Sequence, residues 1–371
     1  TTEVRRALWL AAGLRWQERQ ARRESGMKQI AARGVGAADS AKRQAEWSAR
    51  EAAKSTIGAR RFDERMIGDR WNPVQFAPSI QASTAATPVA RIVTMPSGEH
   101  QAEGVATGFL IGHGLLMTNF HVFQVRSDAM GYGANFFYVK DEQGIRLGKY
   151  FELDPGRFFV SDESLDFAIV AVSSKSTEGE PLSGLGSVRL IDATGKILTG
   201  LPVNIVEHPL GGPREFAISD NKLVDILDTG FLHYEGDTER GSSGSPLFNG
   251  DWELVGLHHS AVPEVRDGRI VNIDGNIWNE SHEPESRIHW VANEGARVSF
   301  IVERLRAMSL SGREGATLAT LLNSTQDTFT QPAASTEART LTGGSSMGTS
   351  VINISGSATI HQYFHATSRE G

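Results

Sequence analysis

From about Pro88 onward, apolar residues fall in short runs separated by Gly, Asn and Asp, at residues 89–93, 104–111, 115–118, 167–172, 202–206 and 245–248. Runs of this length, bounded by turn formers, predict strands, and their number predicts an all-β barrel or sandwich. The last run meets Asn249-Gly250 and continues as residues 252–257. Asn-Gly supplies the positive φ angles of a two-residue hairpin, so a hairpin is expected there.

The first 58 residues have a different period. Val4, Leu8 and Ala11, then Met27 and Ile30, recur at helical spacing in a stretch rich in Ala, Arg, Glu and Gln, which predicts two or three helices broken near Gly34 and Gly36. A further helix is expected late in the β region. Val298, Ile301, Val302, Leu305 and Met308 share one face there, with Asn293 as its cap. Beyond about Ser324 the chain is dominated by Ser, Thr, Gly, Ala and Gln, the composition of a flexible linker. It closes on apolar runs at 351–354 and 359–364 around Gly356. The organisation expected is a helical basic segment (1–62), a β body with its helix (63–310), a Ser/Thr/Gly-rich linker (311–350) and a small β-hairpin tail (351–371). No internal repeat is visible.

Charge sharpens this division. The 371 residues carry a formal charge of −7, which argues against a dedicated nucleic-acid binder. Residues 1–62 nevertheless hold 14 Lys or Arg against 6 Asp or Glu, so a basic arm precedes an acidic body. The arm reads most often as a solvated helix face, and otherwise as a contact for an activating protein partner or a nucleic acid. There is no cysteine, which removes disulfides, thiol nucleophiles and Cys-ligated zinc together. Residues 7–14 form a short apolar run ended by Arg15 with no small-residue cleavage site behind it, and no stretch reaches the ~20 apolar residues of a membrane span. The expectation is a soluble cytoplasmic protein with no membrane contact, secretion being the alternative.

The chemistry lies in three segments. Gly241-Ser242-Ser243-Gly244-Ser245-Pro246 sets a serine between glycines, which permits a tight turn that exposes Oγ and turns N–H groups inward. Ser243 is the candidate nucleophile, with the N–H groups of Gly241 and Ser243 as oxyanion donors; alone, such a sequence is more often merely a turn. Residues 115–118 run through Asn119 and Phe120 to His121, a base candidate at the end of a strand pair. Asp166 heads the apolar run 167–170, where a buried carboxylate is costly without a charged or N–H partner, and His121 can provide one. A hydroxyl, a base and a carboxylate that orients the base are what amide hydrolysis by serine requires.

These segments, in the order His, Asp, Ser, resemble the trypsin-like (chymotrypsin-fold) serine peptidases. The run from Asp237 to Asn249, followed by Leu254-Val255-Gly256-Leu257-His258-His259-Ser260, is similar to the bacterial branch that includes V8-type glutamyl endopeptidases, and residues 292–299 look like the start of its closing helix. The resemblance spans roughly residues 64–309. It implies two six-stranded antiparallel β-barrels with the active site between them, a closing helix, a protein or peptide substrate and no cofactor. It also implies a specificity pocket involving Asp237, Thr238, His258 and Ser260. Thr238 and His258 match residues that bind an acidic P1 side chain, whereas Asp237 falls where trypsin keeps the carboxylate that attracts Arg or Lys; the balance leans to acidic P1. His259 falls beside the catalytic Asp position, either supporting Asp166 or serving as a structural histidine. Ser242 departs from the pattern, replacing the Asp that pairs with a new N-terminus in trypsin-like zymogens. Control by the N-terminal segment, covering the cleft or docking a partner, is the substitute considered.

His208, in Glu207-His208-Pro209-Leu210-Gly211-Gly212, sits in a turn-rich loop and reads as structural. His258 and His259 are strand neighbours on opposite faces, a poor metal site. Two other classes compete with an active endopeptidase: a two-barrel scaffold without turnover, and a partner-sensing protein with a peptidase effector.

Overall fold

The structure is a computed structural model and describes residues 2–56, 76–95, 102–218, 221–236 and 238–325. Asp237, the 351–371 tail and the part of the linker beyond residue 325 lie outside the described residues. Three helices open the chain, α1 (Thr2–Glu18), α2 (Gln20–Arg33) and α3 (Ala41–Thr56). The break between the last two falls where expected, with Gly34 at φ 91° and Gly36 at φ 77°, both in the region that glycine enters without a Cβ clash. A fourth helix, α4 (Phe76–Ala86), leads into the first strand.

Two antiparallel sheets follow. The first uses β1 (Val89–Thr94), β2 (Gly104–Gly112), β3 (Leu115–Thr118), β4 (Tyr132–Phe136), β7 (Lys149–Glu152), β8 (Phe159–Asp162) and β9 (Phe167–Ala171), while β5 (Val139–Asp141) and β6 (Gly144–Arg146) form a side hairpin. Its order is β7-β4-β1-β2-β3-β9-β8, and the sheet curls until Leu153 bridges Val172. The second uses β10 (Asn204–Glu207), β11 (Glu215–Ala217), β12 (Leu223–Ile226), β13 (Phe231–Tyr234), β14 (Pro246–Phe248), β15 (Leu254–Pro263) and β18 (Trp290–Arg297), with β16 (Val265–Arg266) and β17 (Arg269–Ile270) as its side hairpin. Its order is β11-β10-β14-β15-β18-β13-β12, and it curls until Pro202 bridges Lys222. The mainly β, two-barrel architecture is as expected, but each sheet holds seven strands among the described residues rather than six.

Strand alternation explains the unbroken apolar runs. In β9, Ala168 and Val170 fill the first barrel with Leu116, Phe136 and Phe151, whereas Phe167 and Ile169 face the other way with Phe109 and Met117. That second set forms a shared core with Val206, Phe231, Phe248 and Leu257 of the second sheet. A strand buried on both faces has no polar side to show.

Four expectations are corrected here. The β14–β15 hairpin exists, but residues 249–253 connect it rather than a two-residue turn. The Asn249 carboxamide oxygen accepts from the N–H groups of Asp251 and Glu253, and Trp252, not Gly250, takes the positive φ of 61°. Asn293 caps no helix. It is held inside β18 by pairing to β13 and β15, so α5 (Val298–Ala307) starts only where that pairing ends, with Arg297 at its N-cap. Residues 312–323, assigned to the linker, form α6 (Gly312–Asn323), because Leu318 and Leu321 bury one face in the shared core. The basic arm is not a solvated face alone: Arg5 pairs with Glu285, Arg15 with Glu294, Arg19 with Asp225, Arg50 with Glu253, and Lys54 with Asp251. Among the described residues no helix is long and apolar enough to cross a membrane.

Candidate active site

His121 lies in the turn after β3, and Asp166 lies in the turn that leads into β9; pairing of these two strands brings the turns together. Asp166 takes φ 50°, a left-handed conformation that Asp tolerates better than most residues. Its carboxylate accepts twice from His121, from the backbone N–H at Oδ1 (2.9 Å) and from ring Nδ1 at Oδ2 (2.7 Å). Asn119 donates its side-chain N–H to the Asp166 carbonyl at 2.8 Å and fixes the turn. Asp166 is 1 % exposed. Burial pushes its carboxyl up, but His121 and His259 outweigh burial and hold it at about 2, so the group stays ionised.

His259 is the second ring on this carboxylate, with Nδ1 3.2 Å from Oδ2. Its Nε2 lies 2.8 Å from Glu294 Oε1. Of the two readings of His259, the supporting one matches this placement. Burial alone would drive the ring neutral, yet the bonds to Asp166 and Glu294 raise it to about 9. Its neighbour His258 behaves oppositely. Burial, then repulsion from His259 and His121, lowers it to about 3, and Nδ1 shares a 2.6 Å hydrogen bond with the Tyr234 hydroxyl. His258 is therefore held neutral.

The Ser243 loop is clamped against the first barrel. Thr107 of β2 donates its N–H to the Ser243 carbonyl (2.9 Å) and its hydroxyl to the Gly241 carbonyl (2.8 Å), while Thr118 of β3 donates its hydroxyl to the Thr107 carbonyl (2.8 Å). Gly244, at φ 87°, sits so close that a Cβ would overlap the Thr107 carbonyl oxygen and approach Thr118 Oγ1 to 2.5 Å. Gly241, at φ 95°, would carry a Cβ 2.5 Å from the His208 carbonyl and 2.6 Å from the Gly211 nitrogen. The Arg240 carbonyl accepts from the Leu210 N–H, so the Gly241 N–H of the same planar peptide points the opposite way. Among the described residues, neither the Gly241 nor the Ser243 N–H has an acceptor, and the Ser243 hydroxyl makes no hydrogen bond to His121.

The other candidates divide. The Thr238 hydroxyl donates to the Asn293 side-chain oxygen at 2.6 Å, and Asn293 in turn donates to the Gly236 carbonyl. Ser260 Oγ donates to the adjacent Ala261 carbonyl. Ser242 is buried, and its hydroxyl accepts from the Glu239 N–H inside the same loop. His208 is buried with Nδ1 2.9 Å from the Gly212 carbonyl, and burial lowers it to about 3, consistent with a structural role. A cavity of about 1160 Å³ lined by Leu110, Arg126, Arg157 and Ser187 contains none of His121, Asp166 or Ser243. Among the described residues no cluster of three His, Asp or Glu side chains is arranged to hold a metal.

Residues 106–257, which include His121, Asp166 and Ser243, match the family described as trypsin-like peptidase domain. The likeness to a trypsin-like peptidase domain lies in this segment. A curated relative, an uncharacterized protein of Sinorhizobium fredii designated y4fB, is 35 % identical over 241 residues, or 59 % of this chain. The match covers only 35 % of that relative, so the chain spans about a third of its length. Similar solved structures include the Rv3671c protease of M. tuberculosis in its active form (18 % identity, 67 % of this chain and 98 % of that one, TM-score 0.38). The MamO protease domain of Magnetospirillum magneticum is also similar (16 % identity, 60 % and 98 %, TM-score 0.37). Peptidase domains act on protein or peptide substrates. Sequence reasoning missed Thr107, Asn119, His233, Glu294 and Arg15 around this trypsin-like site. Thr107 and Asn119 stand inside the motifs already singled out; Arg15 and Glu294 are 279 positions apart, and nothing local in either segment connects them.

Proposed function

We propose that this chain is a serine endopeptidase with His121, Asp166 and Ser243 as its catalytic triad. The observation that carries the reading is the buried Asp166 carboxylate bonded to both the backbone and Nδ1 of His121. That bond holds the Nδ1–H tautomer and leaves Nε2 as the lone pair able to take the Ser243 proton. Ser243 Oγ attacks the peptide carbonyl, and the oxyanion meets the N–H groups of Gly241 and Ser243. His121 then protonates the leaving amine, and water hydrolyses the acyl-enzyme by the same proton path. The hydrogen bond between Ser243 Oγ and His121 Nε2 forms when substrate binds, since catalytic hydrogen bonds commonly tighten only in the complex.

An acidic P1 side chain is the specificity proposed from the likeness of Thr238 and His258 to acid-binding positions, the neutral His258 offering a hydrogen-bonding group in place of a counter-charge. Asp237 and Ser260 complete the proposed pocket. A scaffold without turnover is the second reading, favoured by the lack, among the described residues, of a hydrogen bond from the Ser243 hydroxyl to His121. Labelling with a fluorophosphonate separates the two. Wild-type protein is expected to gain one adduct mapped to Ser243 and Ser243→Ala none; an unlabelled wild type favours the scaffold.

A further inference from the structure

We propose that Arg15 and Glu294 are positioning residues of this site: helix α1 grips Glu294, Glu294 orients His259, and His259 is the second donor that fixes Asp166. The inference rests on reading His121, Asp166 and Ser243 as the triad, and it gives the N-terminal helix a supporting role in place of covering the cleft.

Glu294 is wholly buried in β18, and each of its oxygens is taken twice. Oε1 accepts from His259 Nε2 (2.8 Å) and Arg15 Nη2 (2.5 Å); Oε2 accepts from Arg15 Nε (2.9 Å) and His233 Nε2 (2.8 Å). The bidentate grip fixes the plane of the carboxylate as well as its place. Arg15 is held in turn by its helix. The Trp9 ring meets the Trp290 ring edge-on at 5.2 Å, Trp16 meets His233 in the same way, and Gly13 lies against Pro263 and Val265. The Arg15 guanidinium lies 4.2 Å from the centre of the Phe231 ring, which also stacks with His259 at 5.3 Å and 26°.

An imidazole with a carboxylate oxygen at each nitrogen must donate from both. The charges along the path therefore alternate, Arg15 positive, Glu294 negative, His259 positive, Asp166 negative, and sum to zero beside the ring that takes the serine proton. The other charged or titratable groups facing the path are His258 on β15 and His233 on β13, with Asp225 and its partner Arg19 next to His233. A helix that merely glued the barrel would affect stability and leave the electrostatics of the triad alone. A helix that completes the charge pattern affects both.

The test uses the whole chain as wild type, Arg15→Met, Arg15→Lys and Glu294→Gln. The rate of fluorophosphonate labelling at Ser243 is followed against pH, and the ring ¹⁵N shifts of His259 are read by NMR. Without the Arg15 charge the path is net negative and favours an imidazolium on His121. Arg15→Met is expected to move the acid limb up by about half a pH unit or more, and Arg15→Lys to restore it. Glu294→Gln is expected to leave the limb unraised and to cost His259 its second proton near neutral pH. Superimposable profiles for wild type and Arg15→Met, with His259 doubly protonated in every variant, overturn the inference. If no variant labels, the triad reading fails on its own. The NMR result then decides the coupling, for it if Glu294→Gln alone loses the second proton and against it if all behave alike.

Discussion

Two glycines and one carboxylate set the chemistry at the residue scale. Gly241 and Gly244 combine a positive φ with backbone atoms where a Cβ would stand, so alanine at either site must displace the loop between the barrels. Gly244→Ala is expected to slow Ser243 labelling by about 100-fold, with far-UV circular dichroism unchanged, because small misplacements of a nucleophile are costly. Asp166→Asn keeps the size of the side chain but presents an N–H or a neutral oxygen to His121. A loss of about 10⁴-fold in labelling rate is expected, from the wrong tautomer and an unstabilised imidazolium. These residues were legible because each stands in a short motif whose chemistry is local. Glu294 and Arg15 were not, since a carboxylate inside a strand and an arginine on a basic helix look ordinary until the fold joins them.

At the scale of elements, α1 shows how one small residue governs docking. Gly13 is buried against β15, where a Cβ would overlap Val265 and lie 2.9 Å from the Pro263 carbonyl. Alanine is the better helix former by about 1 kcal/mol, so Gly13→Ala would stabilise a free helix. In this chain it is expected to destabilise by roughly 1–3 kcal/mol through overpacking, seen as a lower denaturation midpoint in urea with an unchanged slope. The first three helices, α5 and the most apolar strands could be read from periodicity, whereas α4 and the shorter strands could not, and both breaks at Gly34 and Gly36 were visible. Asn293 misled because Asn is a good cap wherever a helix begins, and the strand pairing that delays α5 to Val298 is a long-range fact. The linker composition hid α6 for the same reason: only Leu318 and Leu321, packed on the core, declare it.

Across the whole molecule, charge complementarity between the arm and the body joins the helices to the second barrel, and the buried histidines make stability depend on pH. His258 and His208 are lowered to about 3, so each contributes stability above its unfolded value of about 6.5 that is lost as pH falls toward 3. Asp166, held at about 2, adds a loss below about pH 4 in the same direction. His259 is raised to about 9, so its contribution is complete below about pH 6.5 and is lost as pH rises through 9. Lys196, lowered to about 7, and Glu207, raised to about 7, titrate in the same range, so the test is a difference: His259→Gln is expected to lose less stability than wild type between pH 6.5 and 9, and parallel profiles for the two proteins would contradict this assignment. The two-barrel architecture was legible from the strand pattern and the resemblance together. The docking of the arm was not, because composition shows that charges are complementary but not which surfaces meet.

Peptide-library digestion with mass-spectrometric reading of the new termini tests the central claim most directly, comparing wild type with Ser243→Ala at pH 7 to 8. The expected result is cleavage by the wild type alone, with Glu or Asp enriched on the acyl side of the cut. Equal cleavage by both proteins, or none by a wild type that unfolds cooperatively, would contradict a serine endopeptidase built on His121, Asp166 and Ser243.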